Sequence, residues 1–481
     1  MKGRQNIFYK SLKSLEGNDI SRMKQSYWLF ILYAALLIPL SLGYFIEIII
    51  IVFSLLLLPF FLNKLENGII LLPIFIYMPI GMSFLMGIQL SEIGVLLLFL
   101  VFLATVIHTK RKDQFETPAL LPISLFILAA LLSTVNATYM TASIKNILKM
   151  VEAFIIVFYI TINYIEKKET LQSVFLMIVV GGTLASLFGL YQFRVGGEAT
   201  MGLERRIFGL LGGGYGAFLG TSIVCAICFI FLGEKTKEKY VSLFCIPILS
   251  VALVLHQTRA WFLATGVALI FIVFQIGWKK KLIKFIFVLS VVVLVVFGIL
   301  GTHLIGFAPK PVTEFATEKS FQLGLSPTQH QGKYLSIMIR LFIWWNGLNI
   351  YLQHPVFGFG IGNLRFSNMM TAQLGSPAEE GVGYIDNHYL NILYETGILG
   401  ITAWLVLMVI LFRSSKRLLR LAVDPEWKAM AVAVVGSLIV FFTGGFFWCL
   451  TVVHEMTVML AFLMGLLFAG LRLKNSSVQS V

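Results

Sequence analysis

Apolar runs of about 20 residues recur along most of the chain, and they limit the possible folds more than any other feature. Of the 481 residues, 58% are hydrophobic and only 12% are charged. A soluble protein carries about 25% charged residues, so much of this chain must face lipid rather than water. The sequence therefore predicts an all-α, polytopic bundle of transmembrane helices. It excludes a disordered chain, a coiled coil and a small disulfide scaffold.

The boundaries of the apolar runs give the predicted spans. The first two runs are joined by almost nothing and could form a re-entrant pair, so we expect about 12 to 14 spans. The spans begin near Tyr27, Glu47, Gly68, Glu92, Pro118, Leu148, Leu171, Gly213, Tyr240, Ala260, Ile283, Leu390, Lys428 and Thr451.

The basic residues predict the orientation of these spans. The net charge is +14, and most lysines and arginines fall in short loops between apolar runs. If the N-terminus is cytoplasmic, every predicted cytoplasmic segment contains at least one of them, as the positive-inside rule requires. We therefore expect both termini in the cytoplasm. No nucleic-acid-binding motif accompanies the charge, so nucleic acid is not an expected partner.

This topology divides the chain into five parts. Residues 1–26 and 473–481 form cytoplasmic tails, and residues 27–303 and 389–472 form the transmembrane helices. The remaining part, residues 304–388, is predicted to be a long extracytoplasmic loop. A loop longer than about 15 residues usually has a function or contains elements of its own.

The long loop contains one predicted helix. Residues 335–354 have a helical spacing of polar and aromatic side chains, and Pro355 ends the pattern. The adjacent Trp344 and Trp345 are typical of an amphipathic helix at the membrane surface. The glycine-rich residues 358–362 indicate turns, because they follow a helix rather than the strand that a nucleotide-binding loop requires.

Several arginines lie on the predicted outer side, where the positive-inside rule does not explain them. Arg259 is notable because it occupies a very short turn between two spans, and an unpaired guanidinium at the bilayer centre costs about 2.5 to 3.5 kcal/mol. Arginines without nearby acids suit a phosphate ligand. The alternative is that these side chains reach lipid headgroups. The arginines concerned are Arg194, Arg205, Arg206, Arg259, Arg340 and Arg365.

A second polar segment, residues 386–391, leads into a long apolar helix. Either Asp386 or Asn387 can cap that helix, which would place His388 in its first turn at the outer membrane surface. Asn391 shares the helix face of His388, as does Glu395 one turn further on. Because the positive end of a helix disfavours an imidazolium, we expect His388 to be neutral and able to accept a proton.

Other polar residues have simpler interpretations. His454 and Glu455 do not form an H-E-x-x-H zinc site, and we expect polar packing between helices there. Glu152 could be buried and functional. Cys225 and Cys228 lie in an apolar run and are expected to be packing residues. The chain contains no D-x-D pair, so we expect neither a metal site nor a cofactor.

Four stretches of the chain resemble the O-antigen ligase and polymerase superfamily of bacterial membrane glycosyltransferases. Each stretch is short, but their order and the long loop between the last spans make the combination fairly specific. Together they cover roughly residues 190 to 410. The stretches are Arg205-Arg206-Ile207-Phe208-Gly209, Thr258-Arg259-Ala260-Trp261, Arg340 to Trp344 with His354 to Gly360, and Asp386 to Leu390 with Glu395 to Gly400.

The resemblance implies a function and a set of site residues. Members of the family transfer a glycan from undecaprenyl diphosphate to an acceptor on the outer face of the bacterial cytoplasmic membrane. The resemblance implies that Arg259 and Arg340, with Arg206, bind the diphosphate, and that His388 is the catalytic base. Supporting residues would be Arg205, Asn387, Asn391 and Trp344.

The implied partners are the lipid-linked donor, a glycan or lipid-linked acceptor, and membrane lipids. A chain-length regulator and a flippase are further candidate partners. We slightly favour a polymerase, and a ligase that uses lipid A core or another acceptor is the alternative. A transporter or flippase for lipid-linked sugars fits the helix content equally well. A transporter should show broken helices near the midplane and symmetry between its halves, and the sequence shows neither clearly.

Overall fold

A computed structural model describes most of the predicted membrane region. The described residues are 65–77, 81–82, 88–109, 117–195, 214–256, 258–276, 341, 344–345, 347–363, 385–451 and 453–479. The predictions for Arg205, Arg206 and Arg340 lie outside the described residues. The same holds for the predicted spans that begin near Tyr27, Glu47 and Ile283.

Helices make up almost all of the described structure, which confirms the predicted all-α class. Six of them are long and apolar enough to cross a membrane, and the others are shorter apolar helices. A minimal antiparallel hairpin, β1 (Gly81–Met82) and β2 (Ile88–Gln89), lies between α1 and α2. The described helices are α1 (Leu65–Tyr77), α2 (Leu90–Thr109), α3 (Leu120–Ser133), α4 (Met140–Tyr164), α5 (Lys168–Val195), α6 (Tyr215–Phe231), α7 (Thr236–His256), α8 (Arg259–Gln275), α9 (His388–Leu421), α10 (Pro425–Gly444) and α11 (His454–Gln479).

Helices α10 and α11 form the centre of the bundle. Within their most apolar windows, 78% and 89% of the residues are buried, respectively, so both helices are surrounded by protein. Asp424 starts α10 as its N-cap by accepting a hydrogen bond from the backbone N–H of Trp427 at 3.1 Å. Pro425 follows at the first helical position, where its missing N–H costs nothing.

One end of the bundle is held together by charges, and we name it the ion-pair end. Lys168 lies 3.4 Å from Asp424 and 2.6 Å from Glu426, and Lys474 lies 2.9 Å from Asp424. Arg472 donates hydrogen bonds to two backbone carbonyls at the C-terminal end of α4. These contacts bring the start of α5, the start of α10 and the last turns of α11 to the same level.

Helix α9 is broken, so the prediction of one continuous helix after His388 is wrong. Gly397 has φ 66° and ψ −165°, which no helical residue adopts. The ring centroids of His388 and Trp404 are 4.9 Å apart, whereas sixteen residues of straight helix would separate them by about 24 Å. Residues 388–396 (α9a) therefore fold back against residues 398–421 (α9b).

The break is stable because a loop supplies the hydrogen bonds that the helix loses there. The backbone N–H groups of Phe359 and Gly360 donate to the carbonyls of Tyr394 and Glu395 at 3.1 and 3.0 Å. In the other direction, the N–H of Ile398 donates to the carbonyl of Pro355 at 2.9 Å. Every buried backbone group needs such a partner. The sequence of residues 388–421 alone therefore cannot reveal the break.

The same loop is anchored to α4. Gly358, Gly360 and Gly362 all have positive φ, which confirms the predicted turns. The hydroxyl of Ser143 donates to the carbonyl of Ile361 at 2.9 Å. We name residues 355–363 the glycine loop. It joins the start of α4 to the break in α9.

Candidate functional site

The start of α9a positions His388 from both sides. The Asn387 side chain accepts hydrogen bonds from the N–H groups of Tyr389 and Leu390, both at 3.1 Å, so Asn387 is the cap. The predicted cap is confirmed. The backbone N–H of His388 donates to the carbonyl of Gly445, just past the end of α10, at 2.8 Å. The backbone at His388 is therefore fixed by two helices.

The His388 imidazole is fully buried within the protein, and its predicted position at the outer membrane surface stays a prediction. The imidazole is buried because α9a folds back and turns its first residue into the bundle. The edge of Trp404 meets the imidazole at a centroid distance of 4.9 Å, and the Tyr389 ring lies 5.8 Å away. Among the described residues, neither ring nitrogen has a hydrogen-bond partner. Buried polar atoms are normally paired, so this imidazole retains its full capacity to bind a ligand.

Arg259 lies at the same end of the bundle as His388. It is the first residue of α8 and is exposed. Two residues later, the Trp261 ring packs so closely on Gly444 that the glycine has no room for a β carbon. The next residue, Gly445, accepts the hydrogen bond from His388. The start of α8, the end of α10 and the start of α9a therefore meet.

Helices α9b and α11 run parallel, and their packing shows which of their residues lie at the same height along the bundle axis. Leu418 packs against Gly470, where an added β carbon would lie 3.5 Å from the leucine. Both helices run toward the ion-pair end, so counting back fourteen residues, about 21 Å, reaches Trp404 in one helix and Met456 in the other. His454 at the start of α11 therefore lies near the level of Trp404. We name this the histidine end.

Asn391 and Glu395, the residues predicted to share the face of His388, are both buried. The Asn391 side-chain oxygen accepts a hydrogen bond from the N–H of Ile385 at 3.2 Å. The Glu395 carboxylate accepts one from the N–H of Gly362 at 2.8 Å. Asn391 thus holds the segment that enters α9a, and Glu395 holds the glycine loop. Both side chains stabilise the position of His388 indirectly.

Trp344 packs around the start of α9a. It contacts a small buried cluster that contains Ile385 and Tyr394 and also includes Ile350. Residues 347–351 are helical, as predicted, whereas residues 352–354 form a turn instead of the predicted end of the helix, and the part before residue 347 is only partly described. Trp344 therefore belongs to the packing around α9a.

The structure also bears on several other polar residues and cysteines that the sequence analysis singled out. His454 Nε2 lies 3.5 Å from Glu152 Oε1, so the predicted polar contact between helices is confirmed. Cys225 and Cys228 are free and buried, as expected of packing residues. Within the described ranges, no three His, Cys, Asp or Glu side chains are grouped to hold a metal ion. The proximity of Arg206 and Arg340 to Arg259 stays a prediction.

Sequence reasoning missed two residues that build this site, Trp404 and Gly445. Trp404 reads as one more apolar residue in a span, and Gly445 contributes only its carbonyl. The one available signal was the glycine-rich stretch from Gly444, where a helix that ends at glycine leaves carbonyls open to other donors.

Comparison with known proteins supports the family resemblance that the sequence indicates. Residues 243–405 match a family model described as O-Antigen ligase. The matched range includes Arg259, Arg340, the glycine loop, His388 and Gly397, whereas Arg205 and Arg206 precede it. No curated protein matches the chain. The match supports an O-antigen ligase-type membrane enzyme of polysaccharide biosynthesis. It confirms the resemblance of the chain to the O-antigen ligase and polymerase superfamily, which residues 243–405 carry.

Proposed function

We propose that this protein transfers a glycan from an undecaprenyl-diphosphate-linked donor to a glycan or lipid-linked acceptor. The site would lie on the outer face of the bacterial cytoplasmic membrane, with the ion-pair end and both termini in the cytoplasm. One observation carries the proposal: His388 is buried, neither of its ring nitrogens has a hydrogen-bond partner among the described residues, and it lies at the end of the bundle where α8 presents Arg259. The family match supports the same reaction class.

The proposed reaction needs no nucleotide. Outside the cytoplasm no nucleotide sugar is available, so the donor must bring its own leaving group, which is the diphosphate. Arg259, with Arg340 and Arg206, would stabilise the negative charge that grows on the diphosphate as its bond to the anomeric carbon breaks. The acceptor hydroxyl forms the new bond to that carbon, and His388 takes its proton. A single displacement of this kind inverts the anomeric configuration.

The experiment is a transfer assay with purified protein in liposomes that contain lipid-diphosphate-linked repeat units, without added metal or nucleotide. His388→Ala should lower the rate by about 10² to 10⁴, the usual contribution of a general base. Arg259→Ala should also abolish most product. Arg417→Ala is the control, because that arginine is exposed and bonds only to Asn475 among the contacts of the described residues. Normal product from both site variants would refute the proposal.

The products distinguish the finer alternatives. A polymerase, which we favour slightly, should yield a ladder of chain lengths from the donor alone. A ligase should need a distinct acceptor such as lipid A core. Either outcome supports glycosyl transfer by this site.

Transport of lipid-linked sugars is the second candidate, because discontinuous helices such as α9 are typical of transporter binding sites. A transporter should move a fluorescent lipid-linked sugar between the leaflets of a liposome at a rate that does not depend on His388. Fast movement by His388→Ala protein together with absent glycosyl transfer by the wild type would favour this alternative.

A further inference from the structure

The exposed face of α9b changes from apolar to cationic within one residue. From Ile398 to Phe412 the exposed side chains are apolar, apart from Thr402. From residue 413 to residue 420 every exposed side chain is a cation. Such a change marks the level at which a lipid-facing helix passes from acyl chains to headgroups. The cations are Arg413, Lys416, Arg417 and Arg420.

The length of α9b agrees with this level. Residues 398–421 extend over about 36 Å, whereas the hydrocarbon core of a bilayer is about 30 Å thick. The helix therefore has room for its last two turns outside the hydrocarbon core. These are the turns that carry the cations, so their side chains lie at the height of lipid headgroups.

The cationic turns project beyond the neighbouring helix α3. The end of α3 lies near the break in α9, because the Asn136 side chain donates to the carbonyl of Gly358 at 2.9 Å. The Phe126 and Trp404 ring centroids are 5.2 Å apart, so these two residues lie at one level. Counted from that level, α3 starts about 9 Å toward the ion-pair end, whereas Arg420 lies about 24 Å toward it. Helix α3 therefore does not cover the turns that carry the cations.

The acidic side chains nearest in the sequence do not neutralise these cations. Asp424 and Glu426 form their ion pairs with lysines of α5 and α11 instead. Arg417 donates to the side chain of Asn475 at 3.2 Å. The other three cations recur at spacings of three, four and seven residues, which places them on one side of the helix, where like charges repel. A bound anion would relieve this repulsion. We name Arg413, Lys416 and Arg420 the cationic ridge.

The surroundings of the ridge select the class of that anion. A guanidinium donates two parallel hydrogen bonds to phosphate oxygens, and an ammonium adds a compact charge. Phe412, 71% exposed, directly precedes the ridge, and the exposed Val409 lies one turn earlier. By the same count of levels, the exposed Leu121 of α3 lies about level with Val409. A phosphate beside an apolar surface is the combination that a phospholipid matches.

We propose that the cationic ridge binds an anionic phospholipid. The headgroup phosphate contacts the ridge, and the acyl chains pack along the exposed apolar side chains that precede it. This site goes beyond the positive-inside rule, which describes the average charge of loops, because it is a fixed set of side chains on one helix. It also goes beyond the proposed function, because the ridge lies at the ion-pair end and the proposed reaction takes place at the histidine end.

Native mass spectrometry of the purified full-length protein tests this inference, with dioleoyl phosphatidylglycerol or dioleoyl phosphatidylcholine added in detergent. The wild type should bind phosphatidylglycerol more tightly, by about tenfold or more. The double variant Arg413→Gln/Arg420→Gln should lose about 30-fold in this affinity, because each cation at an anionic surface contributes about fivefold. Its affinity for phosphatidylcholine should not change. Arg413→Lys/Arg420→Lys should retain most of the binding, because it keeps both charges.

Lys237→Gln/Lys239→Gln is the matched control. It removes the same two charges at the same end of the bundle, since the nearby Lys235 donates to Gln172 of α5 at 2.6 Å. Phosphatidylglycerol affinity should stay nearly unchanged in this variant. Thermal unfolding without added lipid should agree between the wild type and both double variants, because exposed charges contribute little to stability. If the arginine variant does not fold, Lys416→Gln should lower the affinity about fivefold and give the same test.

Three results would show the inference to be wrong. The first is equal phosphatidylglycerol affinity in the wild type and the Arg413→Gln/Arg420→Gln variant. The second is an equal loss in the lysine control, since net charge alone would then explain the binding. The third is binding of polyglutamate but not of phosphatidylglycerol, which would assign the ridge to an acidic protein partner. None of these measurements involves glycan transfer, so the lipid site and the proposed function are tested separately.

Discussion

Replacing Gly397 with alanine tests whether α9 is broken as described. Gly397 occupies a region of backbone space that is essentially restricted to glycine, where another residue costs about 1 to 3 kcal/mol. A β carbon there would also collide with the carbonyl of Val356. Moving the loop away to relieve the collision breaks the hydrogen bond from Ile398 to Pro355, a further loss of about 1 kcal/mol.

The expected total is therefore roughly 2 to 4 kcal/mol against the folded-back arrangement. Since 1.4 kcal/mol is a factor of ten, the equilibrium ratio of the folded-back arrangement to its alternatives should fall about 30-fold to several hundred-fold. Glycan transfer should fall by up to the same factor. The assay pairs initial transfer rates with thermal unfolding in detergent.

The sign of the effect is what makes the experiment decisive. In a straight helix, Gly397→Ala would stabilise the protein by about 1 kcal/mol, because alanine is the better helix former. Gly470→Ala is the control for that ordinary effect, since Gly470 is helical and an added β carbon would make only normal contacts. A Gly397→Ala protein as stable and active as the Gly470→Ala protein would refute the broken helix.

Two further predictions concern the two ends of the bundle. Partial burial raises the pKa of Asp424, but the Lys474 hydrogen bond, a backbone N–H and the charges of Lys168 and Lys474 outweigh it, so the pKa lies below its ordinary value. Asp424→Asn keeps the helix cap, so it should cost only about 0.2 to 1 kcal/mol at pH 7. The cost should be complete above about pH 3.9, the ordinary pKa of an aspartate in the unfolded chain, and should vanish as the pH falls through the lower pKa of the folded protein. Thermal unfolding measured against pH checks this. At the other end, Gly444→Ala forces a methyl group into the Trp261 ring and should cost about 1 to 3 kcal/mol in thermal unfolding, with a loss of transfer. Unchanged unfolding and transfer would contradict the packing of α8 on α10.

The sequence predicted the parts of this structure that depend on local patterns. Apolar runs predicted where the described helices lie, because lipid requires a continuous apolar helix surface. The cap at Asn387 followed from its side chain and the apolar helix after it. The polar nature of the His454 contact followed from the cost of leaving such groups unpaired in a bundle.

The sequence could not predict the features that depend on distant partners. A glycine inside a helical pattern costs only about 1 kcal/mol, so Gly397 reads as a tolerated residue rather than a break. What makes the break stable is the glycine loop, about forty residues earlier in the chain, through the N–H groups of Phe359 and Gly360. Likewise, the approach of the start of α8 to the start of α9a depends on Trp261 fitting against Gly444.

The break in α9 and the burial of His388 have one physical origin, and together they suit the proposed reaction. A base at an open membrane surface would activate water as readily as a sugar hydroxyl, and the donor would be hydrolysed. A straight helix would leave His388 at that surface. Because α9a folds back, the imidazole instead packs against the Trp404 ring and is fully buried. The glycine loop makes this arrangement possible by supplying the backbone hydrogen bonds that folding back removes. The placement of the base therefore depends on residues that never touch a substrate, which is why substitutions at Gly397 should affect transfer as strongly as those at the site itself.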